Sequence, residues 1–118
     1  MILLSYNCRG LASPHKKSSI KRMIALLGPQ IILLQETMVP RDLVKEVLES
    51  WLPGWVFEAV DAVGRSGGLA IGWLTSQIRC ESIWGFHVGI GIEVYSRDID
   101  IVFFVVNIYG PYQDRLPV

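Results

Sequence analysis

Two apolar runs within the first 37 residues each close on a polar triplet, and the segment between them has helical periodicity. Ile2-Leu3-Leu4 runs into Ser5-Tyr6-Asn7, and Ile31-Ile32-Leu33-Leu34 runs into Gln35-Glu36-Thr37. An apolar run buried in a sheet gains no stability from a polar residue at its carboxyl end, whereas ligand sites of α/β folds lie outside the carboxyl ends of strands. The pattern predicts a βαβ unit that sets Asn7 and Glu36 side by side at one rim.

Ser18 and Ser19 offer an N-cap ahead of Ile20, Met23, Ile24 and Leu27, whose spacing makes one apolar helix face, and Gly28-Pro29 stops that helix. Pro40 suits the first turn of a second helix. Leu43, Val44, Val47, Leu48 and Trp51 stripe this helix before Pro53-Gly54 ends it. From Trp55 onward the pattern changes to extended runs, Trp55 to Val60, Leu69 to Leu74, Ile78 to Trp84, Val88 to Tyr95 and Ile99 to Ile108, joined by turn residues. Short connections favour antiparallel neighbours, so this half reads as a meander. The expected class is α/β, with a mixed, mostly antiparallel sheet and two flanking helices. A sheet with helices on one face has a second apolar face to cover, and no element follows the last strand signal. Residues 1–118 are therefore expected to be a partial domain that self-associates through an uncovered sheet.

Composition narrows the function classes. With 118 residues, 51% of them hydrophobic, the chain suits one globular core, and 11 basic against 11 acidic side chains leave no global field to attract a polyanion. Any nucleic-acid contact must come from a local basic patch. Cys8 and Cys80 are too few for a disulfide framework and lack metal-ligand spacing, which favours a reducing compartment. No apolar stretch approaches the roughly 20 residues that span a bilayer. The start, Met1-Ile2-Leu3-Leu4, lacks a basic n-region and a long h-region, so an intracellular protein of nucleus or cytoplasm is expected.

Glu36 is the leading site candidate, since a carboxylate closing a buried strand is placed to ligate a hard cation such as Mg²⁺; a solvated strand-end glutamate is the plainer alternative. Asn7, followed by Cys8-Arg9-Gly10, suits a bond to a phosphate oxygen or to a neighbouring carboxylate, and equally a strand-ending turn. Asn107 and Tyr109 repeat the pattern at the end of Ile101 to Ile108, where a tyrosine hydroxyl can donate to a phosphate and an aromatic beside Gly-Pro can simply pack. His15-Lys16-Lys17, continued by Lys21 and Arg22, is the basic cluster that can meet a nucleic-acid backbone or remain a solvated face. Gly67-Gly68 precedes a strand pattern and reads as a turn. His15 and His87 have no sequence partner that nominates either as a general base.

Ser5-Tyr6-Asn7-Cys8-Arg9-Gly10-Leu11, Leu34-Gln35-Glu36-Thr37, Gly67-Gly68-Leu69-Ala70-Ile71 and Asn107-Ile108-Tyr109-Gly110-Pro111, in this order, resemble the exonuclease-endonuclease-phosphatase superfamily. Within it the likeness is to the apurinic-type endonuclease domain of LINE retrotransposons, especially plant ones. The resemblance implies the amino-terminal portion of a four-layer α/β sandwich that hydrolyses phosphodiesters with Mg²⁺. It implies Asn7 and Tyr109 as catalytic residues, with Tyr109 near the scissile phosphate, and Glu36 as the metal ligand. Asn107, Lys16 and Lys17 are the expected substrate contacts, and DNA is the expected partner of the complete domain.

The family also uses an Asp-x-Asn motif after a later strand and a terminal Asp-His pair, and this sequence has neither after Tyr109. General-base assistance is typically worth about 10² to 10⁴-fold in rate. The chain alone is therefore expected to bind Mg²⁺ weakly and to hydrolyse poorly. A non-catalytic remnant acting through protein association is the alternative, and a nucleic-acid-binding module built on the basic loop is a third.

Overall fold

A computed structural model describes residues 1–61, 67–86 and 89–108. The elements follow as β1 (Leu3–Asn7), α1 (Lys16–Leu27), β2 (Ile31–Gln35), α2 (Arg41–Trp51), β3 (Trp55–Val60), β4 (Leu69–Leu74), β5 (Ile78–Phe86), β6 (Gly89–Ser96) and β7 (Val102–Ile108). They build a four-stranded sheet in the order β1-β2-β4-β3 and a three-stranded sheet in the order β5-β6-β7. β1 and β2 are parallel, with Asn7 opposite Gln35, and the other pairs are antiparallel. The βαβ unit and the mixed, mostly antiparallel class thus agree with the sequence.

The helix ends have local causes. Gly28 takes the left-handed conformation (φ 58°) and its N–H donates to Ile24 O at 2.9 Å, which closes α1. The start of α1 corrects the sequence reading: the helix opens at Lys16 behind His15, and Ser18 lies inside the first turn, donating to His15 O. Pro14 pre-sets helical φ ahead of the serines, and Lys16 N already donates to Ser13 O at 3.1 Å. Pro40 precedes α2, and its carbonyl accepts from Val44 N at 3.0 Å.

Ile20, Val44 and Leu48 of the helices pack on Ile32, Leu34, Trp55, Phe57 and Ala70 of the first sheet. The other face of that sheet carries Ile31, Leu33, Leu69, Ile71 and Trp73, and these meet Ile78, Ile90, Ile92 and Val94 of the second sheet. This overturns the expectation that the first sheet's second face stays open. Period-two alternation tells which residues share a face but not what that face packs against, so one expected meander is in fact two facing sheets. The uncovered apolar face is instead the outer side of the second sheet, where Phe104 is 68% exposed. β1 also departs from expectation: it is an edge strand, with Ile2 and Leu3 exposed and Leu4 and Tyr6 packed toward the helices. Leu27, expected on the apolar helix face, is half-exposed.

Candidate functional site

β2 ends at Gln35, and the chain then turns sharply. Glu36 and Met38 hold φ of 52° and 55°, the left-handed region that L residues with side chains seldom adopt and that costs about 1–3 kcal/mol each. Such a turn persists only where its surroundings fix it. On one side Cys8 N donates to Gln35 O at 2.8 Å, Gly10 N to Glu36 O at 2.9 Å and Leu11 N to Thr37 O at 2.9 Å. On the other side Thr37 N donates to Gly68 O at 3.3 Å, Met38 N to Gly67 O, and Thr37 Oγ1 to Gly67 O at 3.2 Å.

Gly67 is therefore more than the turn signal read from sequence. Its φ is 79°, and a Cβ there would lie 3.1 Å from Glu36 Cα and 3.2 Å from Met38 Cγ. The clamp was visible only as Gly-Gly ahead of a strand; its partner became clear from register, because Leu69 stands opposite Gln35.

The two rim residues meet. Asn7 Nδ2 donates to Glu36 Oε2 at 2.6 Å, while Asn7 Oδ1 accepts from Arg9 N at 3.1 Å and closes a local turn. Asn7 is exposed and Glu36 half-buried. Beneath them Cys8 is fully buried, and its thiol is pushed up to about 12; burial is the main cause, the Lys16 charge opposes it and the Glu36 charge adds to it. Cys8 is thus an inert core thiol rather than a nucleophile.

The basic loop divides in two. Lys16 Nζ donates to Tyr6 Oη at 3.3 Å and lies 5.5 Å from that ring's centre, whereas Lys17 is exposed. Asn107, expected to touch substrate, is buried between the sheets: Nδ2 donates to Leu34 O at 3.0 Å and Ala70 O at 2.8 Å, and Oδ1 accepts from Gln35 Nε2 at 3.1 Å. Tyr109 and His87 lie outside the described residues. Next to the carboxylate turn, Met38, Val39, Pro40, Asp61 and Gly67 line an open depression of about 380 Å³.

Among the described residues no group of three or more Asp, Glu, His or Cys side chains converges. The rim's single carboxylate, Glu36, with one oxygen held by the Asn7 amide nitrogen, still fits Mg²⁺. That ion commonly binds through one or two carboxylates, keeps several waters and takes other ligands from a substrate phosphate. Among the described residues no helix is long and apolar enough to cross a membrane.

Neither a protein-family model nor a curated protein matches the sequence. Solved structures do match its fold. The D. rerio TDP2 complexed with single strand DNA product superposes with a TM-score of 0.66 and 14% identity, over 93% of this chain and 47% of that one. The Xenopus laevis APE2 catalytic domain gives 0.64 and 19%, over 98% and 46%. The endonuclease/exonuclease/phosphatase from Bacteroides vulgatus gives 0.62 and 12%, over 89% and 49%. The chain spans about half the length of each. Two facing sheets with a helix layer on the first are thus the fold that this chain shares with these three structures.

Proposed function

We propose that this chain is part of a Mg²⁺-dependent phosphodiesterase, a DNA endonuclease of the retroelement type, and that the Asn7–Glu36 rim is the metal end of its site. The observation that carries this reading is the 2.6 Å bond between Asn7 and Glu36 beyond the ends of adjacent parallel strands. The fold shared with D. rerio TDP2, a protein complexed with single strand DNA product, supports it. In this reading Glu36 supplies the ligating carboxylate, and Asn7 holds one of its oxygens so that the other faces the ion. Bound there, Mg²⁺ neutralises charge developing on a phosphoryl oxygen. Tyr109, two positions after the β7 residue Asn107, supplies a hydroxyl that donates a hydrogen bond to the phosphate, and Lys16 and Lys17 serve the nucleic-acid backbone.

No Asp-x-Asn triplet follows Tyr109 and no histidine follows His87, so these 118 residues carry no match for the general-base and nucleophile-orienting groups that the resemblance implies. On its own the chain should hydrolyse DNA no faster than background. A second reading, a non-catalytic product that works by protein association, draws on the apolar outer face of the second sheet.

Paramagnetic broadening tests the rim directly. Mn²⁺ titrated into ¹⁵N-labelled protein should first broaden the amides of residues 7–10 and 36–38, and Glu36→Gln should abolish that focus. Broadening without a focus at the rim would defeat the proposal. Nicking of supercoiled DNA reads the second part: robust Mg²⁺-dependent nicking lost in Glu36→Ala would show that these residues suffice for catalysis.

A further inference from the structure

We infer that Asn107 is a positioning residue: from the second sheet it holds the end of β2 through the Gln35 side chain, and so fixes the direction in which Glu36 leaves the strand. Its consequence for phosphate chemistry rests on the reading of the rim given above.

The core between the sheets is otherwise apolar, and apolar packing is non-directional. Among the described residues, every side-chain hydrogen bond from a strand of one sheet to a strand of the other involves Asn107. Its Nδ2 donates to Leu34 O and Ala70 O, which belong to residues standing opposite each other on β2 and β4. Its Oδ1 accepts from Gln35 Nε2 at 3.1 Å, and that nitrogen also donates to Ser5 Oγ at 3.1 Å. The carboxyl-terminal parts of β1, β2 and β7 and the start of β4 are thereby joined in one network, one residue before the left-handed Glu36. Asn107 is 3% exposed and its amide is fully engaged, so it acts through Gln35 and not by touching a ligand. The Gly67 clamp fixes the turn from beyond Glu36; this network fixes it from before.

Without the Gln35 anchor, β1 and β2 can part at their ends and Glu36 can relax from φ 52° toward the ordinary region. The Asn7–Glu36 bond is then the first casualty. Gln35→Met removes the relay while leaving Asn107 bonded to both carbonyls, so the fold is kept.

The relay is read without metal, from the Asn7 side-chain amide in ¹H–¹⁵N spectra. In the parent protein one Asn7 Nδ2 proton should resonate downfield and exchange slowly, and Glu36→Ala should remove that signature. Gln35→Met should remove it too while dispersed amides of the sheets keep their positions; Asn107→Leu should do the same. An Asn7 signature unchanged in Gln35→Met overturns the inference, whatever happens to thermal stability and even if Asn107→Leu fails to fold. Mn²⁺ added afterwards separates the two readings. Second-sphere changes commonly weaken metal binding about 10 to 100-fold, and Gln35→Met should raise the Mn²⁺ midpoint about tenfold. Loss of the Asn7 signature in the variant, with no rim-focused broadening even in the parent, supports the relay and defeats the metal reading.

Discussion

Asn7 ends β1 and Glu36 follows the end of β2, with a 12-residue helix between the two strands, yet the Asn7 amide nitrogen lies 2.6 Å from a Glu36 carboxylate oxygen. Glu36 makes this contact from a positive φ of 52°, in a turn held by backbone groups bonded on both sides.

Gly67 is the most sensitive of these. Gly67→Ala puts a Cβ against Glu36 Cα and Met38 at a positive φ, and should cost about 1–3 kcal/mol in urea unfolding. Gly28→Ala is the control, since it also has positive φ but open space around it; it should cost only the left-handed strain, about 1 kcal/mol, and the loss at Gly67 should exceed it. Equal losses at the two positions would show that the close approach to Glu36 does not constrain the turn.

Much of this site was legible in the residues. Polar triplets closing apolar runs placed Asn7 beside Glu36, and Gly28-Pro29 and Pro40 bounded the helices, because those signals are local. The second sheet was not legible in the residue pattern itself and entered only through the family resemblance, which implied a four-layer sandwich. Residues such as Ile90, Ile92 and Val94 alternate in the same way whether they extend one sheet or face another, and only long-range packing distinguishes the two. Asn107 misled for a related reason: an asparagine near a strand's end looks the same in sequence whether it faces solvent or, as here, a neighbouring sheet's carbonyls. Gly67 gave no hint of its partner, which lies 31 positions earlier in the chain.

Away from the rim, α2 is tied to β3 by charge. Glu49 Oε2 accepts from Lys45 Nζ at 2.8 Å and from Phe57 N at 2.9 Å, and Lys45 also reaches Glu58 at 3.3 Å. Burial disfavours the charged form of Glu49, but the bonds from Lys45 and the Phe57 amide outweigh it and hold the carboxyl below its ordinary 4.5. Burial likewise disfavours charged Lys45, and Glu49 with Glu58 outweighs it, holding the ammonium above 10.5. Stability from Glu49 is therefore present above pH 4.5 and lost as pH falls through its lower folded value; that from Lys45 is present below pH 10.5 and lost as pH rises through its higher one. With side chains 41% and 33% exposed, screening limits the pair to about 1 kcal/mol or less. Glu49→Ala should lower stability at pH 7 by about 1 kcal/mol, including the orphaned Phe57 amide, and the gap to the parent should narrow below pH 4. A gap that is the same at pH 3 and pH 7 would contradict this.

The outer face of the second sheet should drive association. Register puts Trp84 and Phe86 of β5 over Gly91 and Gly89, on the same side as Val102, Phe104, Val106 and Ile108 of β7. All six side chains are at least 37% exposed. Together they leave roughly 600 Å² of apolar surface, at the top of the range for the largest patch on a monomer. Two such faces approach the ~1,200 Å² at which specific interfaces begin. Sedimentation velocity should show concentration-dependent association. Phe104→Lys, which would set a cation opposite Glu93 on the same face, should shift the protein toward monomer. A parent protein that stays monomeric at high concentration and binds no hydrophobic dye would contradict this expectation.

In the function proposed above, Glu36, oriented by Asn7, is the metal end of a phosphodiesterase site. Anomalous scattering from crystals soaked in Mn²⁺ tests it most directly. One dominant peak is expected about 2.0–2.3 Å from a Glu36 carboxylate oxygen, the coordination distance of a hard divalent ion, and no peak there in Glu36→Gln crystals. A strong Mn²⁺ peak elsewhere with nothing at Glu36, or an unaltered peak in Glu36→Gln, would contradict it.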